Sequence, residues 1–260
     1  MKIILLSCLW LISVCVPAFA TEASWTDFQQ AGSAAILNFP TQTPRSASSH
    51  SFTVTSDSFT AQKKGRGAFD HFELVDWLAE ATGTIKDRRL IQKKSLCVIK
   101  DLEGNTLYQA QKDFDYEKKK ITIKIDDRRN PKRARVKNYT FPIKGPTIDE
   151  ICLTNFVKSF IPYLNEKNNQ SFYLITFEPA LYKVLVKQQG QETITLPSGR
   201  SYDCVKIRLI ADMGILDNVF DQYVPATFVW YQRTYPFQWV QYQGLETGRH
   251  STNILSYSND

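Results

Sequence analysis

The chain has 260 residues, of which 43% are hydrophobic, and this suffices for one large β domain or at most two small ones. The formal net charge of +6 is a mild excess that excludes little by itself, since a basic patch can meet lipid head groups, nucleic acid or nothing. After the first residues, no apolar run is long enough to predict a transmembrane segment.

The first 20 residues have the pattern of a cleavable secretory signal peptide. Lys2 gives a positive start, Ile3 to Val16 form an uncharged apolar run, and Ala18 to Ala20 have the small-x-small pattern that signal peptidase recognises. We therefore expect cleavage after Ala20 and export, to the periplasm first and to the extracellular space as the alternative. Export argues against nucleic acid as a partner of this basic chain.

Three cysteines remain after the signal peptide, Cys97, Cys152 and Cys204. An exported protein can form one disulfide among three pairings, but buried reduced thiols are the favoured interpretation. The spacing gives no CxxC or metal-binding pattern, and the sequence contains no phosphate-binding loop. No metal or other cofactor is therefore expected.

Residues 21–50 follow the signal peptide and end in a polar Pro- and Ser-rich stretch. They are predicted to be an N-terminal arm or loop. Residues 51–260 are predicted to form a single antiparallel β domain, because apolar residues alternate with Ser and Thr from Ser51 onward. Residues 68–81 fit both strand and helix spacing, and both alternatives stay open.

Ile121, Ile123 and Ile125 alternate with polar residues and predict the clearest amphipathic strand of the chain. A basic run follows and is predicted to be a solvated loop between two strands. The less favoured interpretation is a surface that contacts anionic lipid head groups. The residues that would form it are Arg128, Arg129, Lys132, Arg133 and Arg135.

One amphipathic helix is predicted over residues 148–164. Thr147 to Glu150 has the form of a capping box, and the apolar residues that follow recur at spacings of three and four. Phe156 and Phe160 lie on the predicted apolar face. Pro162 should end or kink the helix near Ser159. Such a helix needs a sheet to lie on.

More strands follow the helix, with turns expected at residues 197–199 and 234–236. The chain as a whole contains ten or eleven short strands at hairpin spacing around one helix. This pattern predicts a mainly β fold, either a curved antiparallel sheet or an open β-barrel wrapped around the amphipathic helix.

Four stretches of the second half carry a family resemblance: KDFDYEKKKITIK, PTIDEICLTNFVKSFI, ETITLPSGRSYDCVKIRL and TFVWYQRTYPFQWVQYQGLETGR. In this order, over roughly residues 90–255, they resemble the exported bacterial proteins of the domain-of-unknown-function family three-one-zero-eight. The resemblance implies one antiparallel sheet around a helix, distantly like the open barrels of the periplasmic lipoprotein carriers. It assigns no catalytic residues and leaves function to the site.

A catalytic site is not evident from the residues. The chain has three histidines, His50, His71 and His250, and no GxSxG motif, so no nucleophile with a paired base can be assigned. We therefore expect a protein that is not an enzyme, with a hydrolase as a less favoured alternative.

Aromatic residues near the end of the chain are the sequence feature that indicates a candidate binding site. By alternation, Phe228 and Trp230 share one face of a hairpin, and Phe237 and Trp239 share the opposing face. An ordinary aromatic core is the commoner explanation of such pairs. The sharper hypothesis is an apolar cavity between the sheet and the helix. Its candidate residues are Phe156, Phe160, Phe228, Trp230, Phe237 and Trp239.

Two hypotheses for function follow. The first is an exported, non-enzymatic protein of the cell envelope that binds an apolar or amphipathic ligand, such as a lipid, in the hollow of a curved sheet. The second is an assembly or scaffolding protein that holds an envelope protein partner through a sheet edge or the basic loop.

Overall fold

The computed structural model describes residues 28–86, 89–129, 135–165, 168–212, 225–247 and 252–258, so the predicted signal peptide lies outside the described residues. A short α-helix, α1 (Leu153–Lys158), and a 3-10 helix (Ile161–Tyr163) lie between Asp149 and Gln170. The strands are β1 (Gln30–Asn38), β2 (Pro44–Thr55), β3 (Ser58–Phe69), β4 (Phe72–Lys86), β5 (Arg89–Lys100), β6 (Thr106–Asp115), β7 (Lys120–Asp127), β8 (Arg135–Pro142), β9 (Thr147–Asp149), β10 (Gln170–Ile175), β11 (Leu181–Thr195), β12 (Ser201–Asp212), β13 (Thr227–Gln232), β14 (Trp239–Leu245) and β15 (Asn253–Ser258).

The fifteen strands form one sheet in the order β8-β7-β6-β5-β4-β3-β2-β1-β15-β14-β13-β12-β11-β10-β9. The sheet is antiparallel throughout except at β9 and β10, which pair in parallel. The first and last of these strands meet in the middle of the sheet, where Ala35 of β1 lies opposite Tyr257 of β15. The predicted class, a mainly β protein with a curved antiparallel sheet, is confirmed.

The sheet coils until the edge strand β9 lies against the buried face of β5. The backbone N–H of Asp149 in β9 donates to Gln92 Oε1 of β5 at 2.9 Å, and Gln92 is fully buried. Nearby, the Tyr116 hydroxyl donates to the Thr147 carbonyl oxygen at 3.2 Å. One edge of the sheet therefore lies inside the molecule, and the coil encloses a hollow that contains α1.

Alternation decides which side chains face this hollow. Ile121, Ile123 and Ile125 of β7 are buried, whereas the residues between them are exposed, as the sequence predicts. The turn predicted at residues 197–199 is also confirmed, since Gly199 takes a φ of 85° between β11 and β12. Between β5 and β6, Asn105 donates its backbone N–H to Asp101 Oδ1 at 2.7 Å.

Residues 68–81 belong to a hairpin, so the helical alternative is wrong. β3 ends at Phe69, and Asp70 adopts a left-handed φ of 53° of the kind that short hairpin turns require. In β4, Val75 and Trp77 face the core, whereas Leu74 is 55% exposed. Helical periodicity in this segment arises because Leu74 and Leu78 lie on the face of the strand opposite to Val75 and Trp77.

The prediction of an arm or loop over residues 21–50 is wrong for the residues described. Gln30–Asn38 and Pro44–Thr55 are β1 and β2, near the centre of the sheet. Their small residues, such as Ser and Ala, carry little intrinsic strand signal. Backbone pairing on both sides holds them in the sheet, and they help to raise the number of strands from the expected ten or eleven to fifteen in the described residues.

The capping box predicted at Thr147 to Glu150 is also wrong. Thr147–Asp149 forms β9, in which Ile148 lies opposite Leu174 of the parallel strand β10. Asp149 Oδ1 accepts a hydrogen bond from the backbone N–H of Ile151 at 3.1 Å, and Glu150 lies 3.4 Å from Lys112 Nζ. A tertiary partner, Lys112 of β6, therefore pairs with the carboxylates that the local motif assigned to a helix start.

Helix α1 is shorter than predicted. It covers Leu153–Lys158, with Cys152 at its N-cap and no side-chain capping bond. It ends at Ser159, and Pro162 lies in the 3-10 helix that follows. The predicted end near Ser159 is confirmed, because a proline cannot continue the backbone hydrogen bonding of the helix.

Candidate ligand cavity

The coiled sheet and α1 line a cavity of about 270 Å³. Its wall is formed by inward-facing side chains from both halves of the sheet. Known ligand pockets are mainly apolar and measure about 300–1,000 Å³, so this cavity is near the lower end of that range. Apolar lining residues include Ile36, Phe69, Trp77, Ala79, Ala110, Phe177, Val184, Leu209 and Trp239.

A buried ion cluster forms one polar part of the wall. Lys112 Nζ of β6 lies 3.4 Å from Glu150 Oε1 and 3.6 Å from Asp149 Oδ2. Burial raises the pKa of Glu150 to about 7, although Lys112 opposes this shift. Burial alone would lower the pKa of Lys112, but Glu150 and Asp149 raise it above its usual value. The cluster ties the end of β9 to β6, and removing one partner would leave a buried charge uncompensated.

A cross-strand pair forms the second polar part of the wall. His50 of β2 and Lys63 of β3 lie directly opposite each other, and both line the cavity. The His50 ring packs on Trp239 with the ring centroids 5.1 Å apart. Burial, and then the charges of Lys63 and Lys158, lower the pKa of His50 to about 4. His50 is therefore neutral at pH 7.

Neither His50 nor Lys63 has its polar atoms satisfied. Both ring nitrogens of His50 are buried without a hydrogen-bond partner among the described residues. Lys63 Nζ makes no hydrogen bond or ion pair within that part of the chain. Burial lowers the pKa of Lys63, while Cys152, Glu150 and Asp149 act in the opposite direction. A hydrogen-bond acceptor in the cavity would therefore find donors here.

A third polar group, a network of four residues, connects distant parts of the chain near the cavity. Arg45 Nη2 donates to Glu246 Oε2 at 2.8 Å and to the Asp70 carbonyl oxygen at 2.7 Å. The Asp70 backbone N–H donates to the same Glu246 oxygen at 2.7 Å, and Thr247 Oγ1 donates to Asp70 Oδ1 at 3.0 Å. This network joins β2, the β3–β4 turn and the end of β14, and we assign it a structural role.

Phe156 and Phe160, two of the predicted cavity residues, fill the core instead. Phe156 packs edge-on against Phe160 at a centroid distance of 5.1 Å and against Phe172 of β10 at 5.2 Å. Neither side chain belongs to the cavity wall. This corrects the prediction, because the aromatic face of α1 packs against β10 and leaves no space there.

Phe228 and Trp230 share one face, as predicted, with ring centroids 5.8 Å apart, but that face points away from the cavity. They belong to a separate apolar cluster on the other side of the sheet. The next residue of β13, Tyr231, belongs to the main core inside the coiled sheet. Trp230 Nε1 donates to Glu192 Oε1 at 2.6 Å, and Lys206 Nζ lies 4.9 Å from the Trp230 ring. Their assignment to a cavity is therefore corrected.

Trp239 is the predicted cavity residue that does line the cavity. Phe237 lies two residues earlier and packs edge-on against Tyr235 at 5.8 Å, at the border of the main core and outside the cavity wall. The aromatic part of the cavity wall consists of Trp239 together with Trp77, Phe69 and Phe177.

The predicted anionic-surface residues are Arg128, Arg129, Lys132, Arg133 and Arg135, and of these Lys132 and Arg133 lie outside the described residues. Arg128 and Arg129 are each paired with a carboxylate two residues earlier, at 2.6 Å in both cases. These arginines lower the pKa of their Asp126 and Asp127 partners. Arg135 begins the edge strand β8 with an exposed side chain. The described part of the loop is thus largely neutralised by its own neighbours.

The three cysteines are free and buried, which agrees with the favoured prediction. Burial raises the pKa of Cys204 to about 11 and also raises the pKa of Cys97 and Cys152. Each thiol therefore stays protonated and poorly nucleophilic at neutral pH. Of the histidines outside the cavity, His71 lies 3.7 Å from Asp70 and is about half exposed, and His250 lies outside the described residues.

The cavity residues His50, Lys63 and Lys112 were not predicted as site residues from the sequence. A signal existed, because each occupies the inward phase of an alternating strand. Lys112, for example, follows Ala110 and precedes Phe114, both buried. A lysine in phase with buried residues indicates an internal charge. Its partners could not be identified, since they come from strands that are distant in the sequence.

One mainly antiparallel sheet coiled around an internal helix and a partly polar cavity defines a β-barrel-like protein. The family model described as Protein of unknown function (DUF3108) matches residues 45–243. The chain belongs to this family, so the resemblance seen in the sequence is confirmed, with a match that begins at residue 45 rather than near residue 90.

The chain is also similar to a solved structure described as a beta-barrel-like protein of domain of unknown function DUF1849 from Brucella abortus. The TM-score is 0.48 at 10% sequence identity, over 88% of this chain and 96% of that one. No curated protein matches the chain significantly. In the part of the chain that the structure describes, no helix is both long and apolar enough to cross a bilayer.

Proposed function

We propose that this protein is an exported, non-enzymatic protein of the cell envelope that binds an apolar or amphipathic ligand in the hollow of its coiled sheet. The observation that carries the proposal is the cavity of about 270 Å³ with a mainly apolar wall. Export follows from the pattern of residues 1–20, and the periplasm is the compartment we propose.

Small side chains leave this space between larger ones. Ala79 of β4 and Ala110 of β6 are buried and line the cavity, where bulkier residues would fill it. Transfer of a methylene group from water to such an environment contributes about 0.8 kcal/mol. A single acyl chain therefore gains several kcal/mol from the wall alone, which offsets the cost of ordering the ligand.

The experiment compares two substitutions of the same kind on nearby strands. Ala79→Phe places an aromatic ring in the cavity, whereas Ala47→Phe places it on the exposed face of β2. Binding of the dye N-phenyl-1-naphthylamine to the full mature chain is measured by fluorescence. We expect Ala79→Phe to weaken dye binding at least tenfold and Ala47→Phe to match the wild type.

Native mass spectrometry and lipid extraction of the wild-type protein provide an independent measurement, since they require no variant to fold. A bound apolar molecule that is retained in the wild type and lost in Ala79→Phe supports the proposal. Dye binding that is equal in the two variants, or a wild type that retains no ligand and binds no dye, contradicts it.

A further inference from the structure

We propose that the ligand is a single-chain amphiphile with an anionic head group, and that Lys63 and His50 bind this head group inside the cavity. The inference deepens the proposed function and rests on it. It starts from the cross-strand pair in the cavity wall, whose polar atoms have no partner among the described residues.

The donors of this pair suit an anion. A neutral imidazole has one N–H donor and a lysine ammonium has three, so together they match the oxygens of one carboxylate. Residues directly opposite on antiparallel strands have Cβ atoms about 4.5–5.5 Å apart, which allows both side chains to reach the same group. A buried polar group without a partner costs about 1–3 kcal/mol, and a bound head group would recover this free energy.

Three other interior cations have acceptors that the structure shows. Lys112 is held by Glu150 and Asp149, Arg45 by Glu246, and Lys158 Nζ donates to the Phe28 carbonyl oxygen at 2.7 Å. Lys63 is the cavity-lining lysine to which no such acceptor is assigned in the described residues. Glu150 and Asp149 act on it from a greater distance and are themselves offset by Lys112.

The electrostatic potential around His50 is positive, and this also favours an anionic head group. The charged groups that act on His50 are Lys63 and Lys158, both cations, and their effect disfavours a further positive charge on the ring. An anion placed between His50 and Lys63 would relieve this repulsion. A cationic head group would add to it.

The apolar wall begins directly beside the proposed head-group site. Lys63 is paired on β4 with Ala79, and Gly65, two residues further on the same face of β3, is paired with Trp77. A ligand whose head group binds Lys63 can therefore extend its chain over Ala79 and Trp77. The stem of Lys63 itself adds apolar surface to this wall.

The test compares three probes and a matched pair of lysine variants. The probes are dodecanoate, dodecanol and acetate, which separate the anionic group from the chain. The variants are Lys63→Met in the cavity and Lys64→Met on the exposed face of the same strand. Affinities for the full mature chain are measured by isothermal titration calorimetry at pH 7.

We expect the wild type to bind dodecanoate at least tenfold more tightly than dodecanol and far more tightly than acetate. Lys63→Met should lose this preference for dodecanoate while it keeps or improves dodecanol binding. Lys64→Met should behave as the wild type. Equal binding of dodecanoate and dodecanol, or unchanged dodecanoate affinity in Lys63→Met, overturns the head-group inference and leaves the proposed function intact.

Two other outcomes are also decisive. If acetate binds as tightly as dodecanoate, the site holds a small anion and the amphiphile is wrong. If the wild type binds none of the probes, the proposed function fails together with the inference.

A measurement on the wild type does not depend on any variant folding. His50 is one of three histidines, so its ring resonances can be followed by NMR during a pH titration. Dodecanoate should raise the pKa of His50 by about one unit or more, and dodecanol should not, because an adjacent anion favours the imidazolium. Equal titration curves with the two probes would overturn the inference.

Discussion

Lys158 at the end of α1 is a lysine buried in the core, and we expect its replacement by methionine to stabilise the protein. Its Nζ donates to the Phe28 carbonyl oxygen at 2.7 Å and lies 5.3 Å from the Phe28 ring centroid. Its side chain is fully buried, with no carboxylate paired to it in the described residues. Burial lowers the pKa of Lys158 to about 7 from an ordinary 10.5.

The lowered pKa fixes the sign of the pH dependence. Between pH 7 and 10.5 the unfolded chain binds a proton at Lys158 that the folded chain releases, so the stability of the wild type rises with pH in this window. The free energy cost of the buried amine is about 4 kcal/mol at pH 7 and about 1 kcal/mol at pH 10. Lys158→Met removes this cost and loses a hydrogen bond worth about 1 kcal/mol.

We therefore expect Lys158→Met to raise the free energy of unfolding by about 3 kcal/mol at pH 7 and to leave it nearly unchanged at pH 10. Urea unfolding followed by tryptophan fluorescence at pH 6, 7, 8.5 and 10 measures this difference. The exposed Lys120→Met serves as the control, because it removes the same charge from the surface. A variant that is less stable than the wild type at pH 7, or a difference that is constant with pH, would refute the reasoning.

Two further predictions concern the packing around the hollow, and both are measured as changes in the free energy of urea unfolding. Tyr231→Phe should lower it by about 1 kcal/mol, because the buried Tyr231 hydroxyl donates to the Thr154 carbonyl oxygen of α1 at 2.7 Å; an unchanged value would mean that this bond does not help to hold the helix. Ile123→Ala should lower it by about 3 kcal/mol, whereas Thr122→Ala on the exposed face of the same strand should lie within about 0.5 kcal/mol of the wild type. Similar values for the two variants would contradict the assignment of the β7 faces.

The fold class could be predicted because strand alternation is a local property of the sequence. The alternation of Ile121, Ile123 and Ile125 identifies the buried face of β7 even when the partner strands are not known. Turn residues such as Gly199 likewise act within a few residues of their own position. These local signals sufficed for a curved antiparallel sheet with an enclosed helix.

Features that depend on distant partners could not be predicted. Thr147 to Glu150 satisfies the local pattern of a helix start, but β10, Gln92 and Lys112 supply better partners for its polar groups. Strands β1 and β2 have weak local signals and are stabilised by pairing on both sides. In both cases tertiary contacts outweigh the local preference.

The candidate site also has features that could be predicted from local sequence and features that could not. That aromatic residues face an internal cavity could be expected, and Trp239 does so. Which of its neighbours point outward depends on the phase of β13, which places Phe228 and Trp230 on the opposite side of the sheet. The polar groups of the cavity were missed because His50 and Lys63 become informative only when β2 and β3 are in register.

The pairing of β1 with β15 has a consequence for how the sheet is assembled. It joins two meanders, β1 to β8 and β10 to β15, in which strands that are neighbours along the chain pair antiparallel. The β1–β15 contact instead spans nearly the whole described chain, so it has the largest loop-closure entropy in the sheet. Until the segment Asn253–Ser258 is available, the first meander ends in an unpaired β1 edge that can pair with another chain. A nascent or truncated chain is therefore exposed to association at the strand that becomes the most central one when folding is complete.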